Sequence, residues 1–249
     1  MNKSKHLQSI DAFGQEMRDY YHGKEVVEIT ERDDGYIGVG VYGVKSYFSE
    51  YKDWFPIEKA AIKFARGKVL DIGCGAGRHC LYLQKKGLDV LGIDNSPLAI
   101  EVCELRGVKQ ATVLPFEQVN KLKPQKFDTI LMLGHNFGLF GSFKKAQRLF
   151  KVLHGITTPK AVIIATVRDP HKTDEPKNKE YHRLNQQRGR MPGQVRLRVR
   201  YKTMKSSWFD YLFVSKSELK QILEGTGWRV KKFIDEENKP SYAMILEKI

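Results

Sequence analysis

The residues best placed to do chemistry lie between Lys68 and Asp94, in the run K-V-L-D-I-G-C-G-A-G-R-H-C-L-Y-L-Q-K-K-G-L-D-V-L-G-I-D. Gly73, Gly75 and Gly77 let the backbone turn through conformations that a side chain forbids, and they bring main-chain amides up to a ligand. Asp94 follows 17 residues after Gly77, and its two carboxylate oxygens match the two hydroxyl donors of a ribose. A flat adenosine lying over the loop would meet both features. A second polar group, Gly134-His135-Asn136-Phe137, carries an imidazole whose ordinary pKa is near 6.5. His135 could take a proton from an attacking oxygen, nitrogen or sulfur, or it could simply hydrogen-bond the loop and line a pocket. Cys74 stands inside the glycine loop, where a small residue is wanted, so loop packing is its expected role rather than reactivity.

These groups need elements to hold them. Val69, Leu70 and Ile72 form a short apolar strand, Leu81, Tyr82 and Leu83 sit where a helix presses on a sheet, and Val90, Leu91 and Ile93 make a parallel partner. Such a βαβ unit binds nucleotides outside the carboxyl ends of its strands. Ser96, Pro97 and Gly107 then mark the start and stop of a helix. Residues 108–117 read as the next strand, and K-F-D-T-I-L-M-L as the fourth, with the His135 segment at its exit. Ser142 opens a helix with an apolar stripe at 143, 146, 149, 150 and 153, and K-A-V-I-I-A-T-V-R-D is a buried strand that ends at Arg168, Asp169 and Pro170. For about 25 residues the regular pattern then breaks, and a long loop is expected. From 195 to 202 the chain alternates again, with Val195, Leu197, Val199 and Tyr201 on one face and Arg196, Arg198, Arg200 and Lys202 on the other. Ser206 to Val214 reads as its antiparallel neighbour. Ser215 and Glu218 form a capping box for a helix over 216–224, and two strands end the chain.

Upstream, Ser9 to Tyr21 reads as an amphipathic helix with Ile10, Phe13, Met17, Tyr20 and Tyr21 on one face. E-V-V-E-I-T-E-R-D-D-G-Y-I offers a helix end or a strand pair around Asp34-Gly35. The aromatics Tyr42, Tyr47, Phe48, Tyr51, Trp54 and Phe55 follow closely, and Pro56 and Gly67 bracket a helix over 57–66.

A dinucleotide fingerprint requires a third glycine one residue later than Gly77, where this chain has Arg78. A dehydrogenase is thereby disfavoured. The form D-I-G-C-G-A-G, with an acid just before the loop, resembles motif I of the class I S-adenosylmethionine (SAM) dependent methyltransferases. The D-N-S-P-L-A-I exit of the second strand is also similar to that superfamily, and the likeness covers about 67–249. It implies an α/β fold: a Rossmann-like seven-stranded methyltransferase sheet with helices on both faces, an N-terminal helical cap over 1–60, and a domain over 61–249 that holds a substrate-side β insertion at 168–213 after the fifth strand. It implies SAM as cofactor and S-adenosylhomocysteine (SAH) as product, held by Asp71, Gly73, Cys74, Gly75, Gly77, Asp94, Asn95, Leu133 and Gly134. Relatives place an acid against the adenine amino group; here Glu117 is the nearest acid, or Phe116 lies on the ring's face. His135 is the candidate catalytic base, and Asn136, Phe137, Tyr21, Arg168, Arg198 and Arg200 are the candidate substrate contacts. L-G-H-N-F-G does not match the N-P-P-Y or D-P-P-Y motif of enzymes that methylate exocyclic amines of nucleic acids, which argues against a base-modifying role.

The formal charge is +14, and 168–205 holds twelve lysines and arginines against four acids. That stretch is either a solvated face or an anion-binding surface. A small, anionic acceptor is therefore the first expectation, RNA or a ribosomal component the second, and a non-catalytic SAM-binding module the third. The mean hydropathy of −0.46 and the lack of any apolar run near the roughly 18 residues of a membrane helix describe a soluble chain without membrane contact. The start M-N-K-S-K-H-L-Q lacks the apolar core of a signal peptide, and three cysteines without C-x-x-C spacing fit a reducing compartment; a cytoplasmic monomer or homodimer is expected. His6, His22, His79, His154, His171 and His182 show no metal-binding spacing.

Overall fold

The computed structural model describes residues 11–40 and 43–249; Ser9, Ile10, His6 and Tyr42 fall outside them. In chain order the elements are α1 (Ala12–Tyr21), β1 (Ile29–Arg32), β2 (Ile37–Val39), α2 (Pro56–Ala61), β3 (Lys68–Ile72), α3 (Arg78–Lys85), β4 (Asp89–Asp94), α4 (Pro97–Leu105), β5 (Ala111–Val113) and β6 (Phe127–Met132). There follow α5 (Phe143–Gly155), β7 (Thr157–Arg168), α6 (Pro176–Gln187), β8 (Gln194–Tyr201), β9 (Met204–Lys205), β10 (Phe209–Leu212), α7 (Lys216–Leu223), β11 (Trp228–Asp235) and β12 (Ser241–Lys248). A mixed seven-stranded sheet runs in the order β11-β12-β7-β6-β3-β4-β5, and a smaller sheet in the order β10-β8-β1-β2 with β9 on β8. The large sheet and its closing antiparallel hairpin are those that the methyltransferase resemblance implies. Among the described residues no helix is long and apolar enough to cross a membrane.

By compactness the chain divides into two units. The first comprises the described part of Met1–Asp53, Gly73–Phe116 and Arg196–Phe209. Within it β4 and β5 pair in parallel, and α1 lies on α4, burying Met17 with Val44, Ala76, Ala99 and Val102 and drawing in Phe13, Tyr20, Tyr47 and Phe48. The N-terminus of α1 is capped by Asp11, whose Oδ1 accepts the Gly14 N–H at 2.9 Å. The opposite face of the helix carries Ala12, which packs against Val199 and Tyr201. β1 pairs antiparallel with β2 and with β8, and Glu31 stands opposite Arg198. The strand-pair alternative for residues around Asp34-Gly35 is thus the one adopted, and β1 also pairs with the basic strand, where Glu31 and Arg198 are 167 positions apart.

The second unit comprises Trp54–Ile72, Glu117–Val195 and Asp210–Ile249. β3 and β6 are parallel, as are β6 and β7, while β12 and β11 continue the sheet antiparallel. The apolar stripe of α5 buries Ala146, Leu149, Phe150 and Leu153, and the Trp228 indole N–H donates to the Phe150 carbonyl at 3.0 Å. The capping box of α7 forms as its sequence requires.

Two local expectations change. The helix expected over 57–66 holds α-geometry only through Ala61 and tightens into a 3-10 turn over Ile62–Phe64. The long loop after Arg168 contains α6, which escapes periodicity because it is polar nearly all round and buries just Tyr181 and Asn185; Pro176 at its first turn is its clearest local signal.

Buried acids set a pH dependence: burial pushes the carboxyls of Glu28 and Asp94 up, and that of Glu16 with them. Glu16 on α1 is 0 % exposed, and burial, aided by the charge of Glu28, pushes its carboxyl up to about 9 from an ordinary 4.5. The folded chain therefore binds this proton more tightly than the unfolded chain. The associated stability is complete below pH 4.5 and is lost as pH rises toward 9. Asp19, Glu31 and Glu117 shift downward instead, so their contributions vary below that window. Thermal melts at pH 5.5 and 8.5 should show Glu16→Gln less sensitive to pH and, at pH 8.5, more stable by about 1–3 kcal/mol. An equal pH dependence in both proteins would show that Glu16 does not retain its proton.

Candidate active site

In the first unit the glycine loop is fastened to β4 by main-chain bonds, with the N–H groups of Gly73 and Cys74 both reaching the Ile93 carbonyl, at 2.9 and 3.1 Å. Gly75 and Gly77 adopt left-handed conformations, with φ of 54° and 76°. At Gly77 a Cβ would also stand 2.6 Å from Cγ2 of Val108 and 3.0 Å from Sγ of Cys103, so this place admits no side chain without a shift.

Asp94 ends β4 and is buried. Its Oδ2 accepts the Gly75 N–H and its Oδ1 the Ser96 N–H, each at 3.0 Å. Burial pushes the carboxyl up, and the N–H groups of Ser96, Gly75 and Asn95 oppose that by favouring the anion. A carboxylate has about four lone-pair sites, so beyond these three N–H groups about one remains for a ribose hydroxyl. This bracing acid and the bare glycine cradle fit an adenosine-bearing cofactor. Asn95 is exposed beside it, and Phe116 is buried at the end of the segment.

The thiols of Cys74 and Cys103 lie 3.9 Å apart, and Cys103 donates to the Gly75 carbonyl at 3.1 Å. The Cys103 contact favours ionisation of Cys74, but Cys80 and burial outweigh it and push the Cys74 thiol well above its ordinary value. An inert packing thiol results. His79 is likewise buried, and burial with the neighbouring Arg78 charge holds it well below the usual imidazole range.

In the second unit the exit of β6 is held from several sides. Asp71 is buried in β3 and Leu133 is buried after β6. The exposed Gly134 donates its N–H to Oε1 of Glu58 at 2.9 Å. His135 has a φ of 66°, unusual for a residue with a side chain and a mark of a position held by its surroundings. Its N–H donates to Oγ1 of Thr166 at 2.8 Å, its carbonyl accepts the Tyr211 hydroxyl at 2.7 Å, and its Nε2 lies 3.0 Å from Oγ of Ser241. Asn136 donates through Nδ2 to the Ile72 carbonyl at 3.0 Å, tying this exit to the end of β3. A 3-10 turn over Asn136–Phe140 rotates Phe137 inward against Phe140, with ring centroids 5.0 Å apart. Phe137 is 0 % exposed and also packs near Phe150, with ring centroids 6.3 Å apart. Arg168 ends β7 half-buried, opposite Ser241 in register. Glu117 is ion-paired with Lys145; burial works to raise its carboxyl, but Lys145 outweighs this and holds it below the usual range.

The remaining candidates turn to other partners. Tyr21 donates its hydroxyl to the Leu105 carbonyl at 3.2 Å. Arg198 grips Glu31 through two bonds of 2.8 and 2.9 Å and lies over the Trp208 ring at 4.5 Å. Arg200 reaches the same carboxylate at 3.3 Å, and Lys202 pairs with Asp19 at 2.6 Å. Glu58, Thr166, Tyr211 and Ser241 were missed from sequence because each belongs to a distant element and carries no local motif. Gly138 is the nearest to a signal: a Cβ there would stand 2.0 Å from the Tyr211 ring.

A methyltransferase-domain family model matches residues 47–232. The chain is 26 % identical to a SAM-dependent methyltransferase from Bacteroides fragilis solved in complex with SAH, with a TM-score of 0.81 over 96 % of this chain and 95 % of that one. Ubiquinone biosynthesis O-methyltransferases from Histophilus somni (strain 2336) and Chelativorans sp. (strain BNC1) are 32 % and 36 % identical over 83 and 77 residues. Those matches span 30 % and 29 % of this chain and 35 % and 30 % of the two relatives, so the chain spans about a third of the length of the curated relatives it matches.

Replacing Asp94 by alanine removes the brace of the Gly75 amide together with the ribose acceptor. SAM affinity, read by calorimetric titration on the folded variant, should fall by about 1.5–3 kcal/mol, and the orphaned Gly75 and Ser96 amides should lower the melting temperature of the unliganded protein as well. Unchanged affinity would remove Asp94 from the site.

Proposed function

Since the chain belongs to the class I SAM-dependent methyltransferases, we propose that it methylates a small molecule rather than RNA. The observation that carries this reading is the pairing of the basic strand. Arg198 and Arg200 share Glu31, and Lys202 pairs with Asp19, so three of the four cations that suggested phosphate contacts are held by acids of their own unit and are less open to a phosphate backbone. The same pairing weakens the ground on which an anionic acceptor was expected. A hydroxyl acceptor is the first to try, because the partial relatives named above are O-methyltransferases.

In this reading Gly73, Cys74, Gly75 and Gly77 seat the cofactor, Asp94 takes a ribose hydroxyl, and Asn95 and Phe116 complete its surroundings within the first unit; Asp71, Leu133 and Gly134 of the second unit are cofactor residues on the family resemblance alone. The described part of 1–60 serves as a cap, since Met17 and Tyr47 already pack with Ala76 of the loop. Bound SAM supplies a methyl group on a sulfonium, with a good leaving group built in. Little acid-base help is then required, and the protein's work is to hold the nucleophile near the methyl carbon and exclude water. Where the acceptor arrives protonated, His135 takes the proton. Ser241 orients its ring and Thr166 and Tyr211 fix its backbone, which makes Tyr211 a positioning residue.

SAH release should be followed with a panel of hydroxylated and amine-bearing small molecules and with total RNA at two salt concentrations. Turnover of a small molecule, with RNA inert, is expected. RNA methylation with a steep salt dependence, close to one unit of log-log slope per phosphate contact, would overturn the reading. On the active acceptor, His135→Ala should lower kcat by about 10²-fold or more at unaltered SAM affinity. Tyr211→Phe should lower kcat to a lesser degree, also without change in SAM affinity. Full turnover in His135→Ala would leave the histidine as part of the wall.

A further inference from the structure

A buried acid pair in the first unit takes no part in the chemistry above. Among the described residues neither carboxylate oxygen of Glu16 has a hydrogen-bond partner, although the residue is wholly buried. Such a group is costly to keep and rare in a native interior. Glu28, just before β1, is 6 % exposed and accepts the Tyr47 hydroxyl at 3.2 Å. Burial, aided by the charge of Glu28, holds the Glu16 carboxyl up, and burial raises Glu28 as well, against the Tyr47 hydrogen bond. Several cations of this unit have other partners: Lys24 and Lys202 pair with Asp19, Arg198 and Arg200 with Glu31, and Arg106 donates to the carbonyls of Ala76, Tyr47 and Phe48.

The pair is linked to the glycine loop by short contacts. Met17, the residue after Glu16, packs with Ala76, and its sulfur lies 3.8 Å from the point where a Cβ on Gly75 would stand. Tyr47 reaches both places, with its hydroxyl on Glu28 and its carbonyl on the Arg106 guanidinium that also holds the Ala76 carbonyl. With no cation beside it Glu16 keeps its proton; a positive charge brought beside the pair would favour release of that proton and meet the carboxylate it leaves.

We propose that Glu16 and Glu28, with Tyr47, form a binding site for an organic cation brought in from the glycine-loop side, its source being either the sulfonium of SAM or an ammonium group on the acceptor. This rests on the reading that the loop seats SAM. SAM and SAH differ by the sulfonium charge, so their affinities isolate the first source. Ammonium salts added to SAH-loaded protein isolate the second.

The test compares wild type, Glu16→Gln and Glu28→Gln. Calorimetry gives the ratio of SAM to SAH affinity, and the melting temperature of SAH-loaded protein is followed with propylammonium chloride against sodium chloride at equal ionic strength. A drop of about tenfold in the preference for SAM in both variants assigns the pair to the sulfonium. An unchanged preference, with ammonium-specific stabilisation in wild type that both variants lose, assigns it to an acceptor amine. If neither quantity differs between wild type and variants, the proposal is overturned. Wild type that binds neither SAM nor SAH would instead defeat the cofactor reading, and ammonium stabilisation of the unliganded protein would still report on the acids. Glutamine is near-isosteric, and at Glu28 its amide oxygen can keep the Tyr47 bond, so the second variant carries the test if the first does not fold.

Discussion

The first unit depends on one chain of carboxylate hydrogen bonds. Asp94 holds the Gly75 amide on one oxygen and the Ser96 amide on the other. The Ser96 hydroxyl caps α4 through the Ala99 N–H and donates in turn to Asp11 at 2.8 Å. Asp11 also receives the Leu98 N–H at 3.2 Å and caps α1. Glycine loop, α4 and α1 are thus braced by two acids and one hydroxyl, all of them part-buried or buried, where each bond is stronger than in water. The approach is close enough that a Cβ on Gly14 would stand 2.2 Å from the Ser96 hydroxyl oxygen.

Much of this was legible in the sequence, because its signals are local. The D-I-G-C-G-A-G turn, Asp94 at the strand tip and the Ser96-Pro97 helix start each depend on residues within a few positions of one another, and a short run of chain suffices to encode them. The same holds for the capping box of α7 and the stripe of α5. What stayed hidden depends on partners far along the chain. Nothing near Asp11 marks it as the acceptor for Ser96, and nothing near Glu31 marks it as the partner of Arg198. The support of His135 by Thr166, Tyr211 and Ser241 is of this kind too. The inward turn of Phe137 escaped for another reason: two Phe residues close to a strand exit can serve a wall or a core equally well by type, and the 3-10 turn decides between them.

Charge illustrates how a sum misleads without geometry. A net +14 and a strand of alternating arginines suggest a surface for anions. Yet β8 lies against β1, and Glu31 takes two of its arginines while Asp19 takes Lys202 at the strand's end. The acids that pair with the strand come from the N-terminal segment, in which Glu16 and Glu28 are buried as well. Within one unit, then, some acids meet cations, while Glu28 meets the Tyr47 hydroxyl and Glu16 precedes Met17 in the cluster that holds Ala76.

The pairing of β1 with β8 also bears on how the protein is made. Glu31 and Arg198 are 167 positions apart, so this sheet is among the most non-local features of the chain, and contacts of that kind form late because the loop must close before they give any return. During synthesis at about 5–20 residues per second, α1 and the glycine loop are complete long before β8 leaves the ribosome. Over that interval the face of α1 that carries Ala12, and the Glu31 carboxylate beside it, wait without their partners. The nascent chain accordingly passes through a stage in which its cofactor loop is already written but its N-terminal unit is still open, and a chaperone that recognises exposed apolar helix faces would find its substrate there.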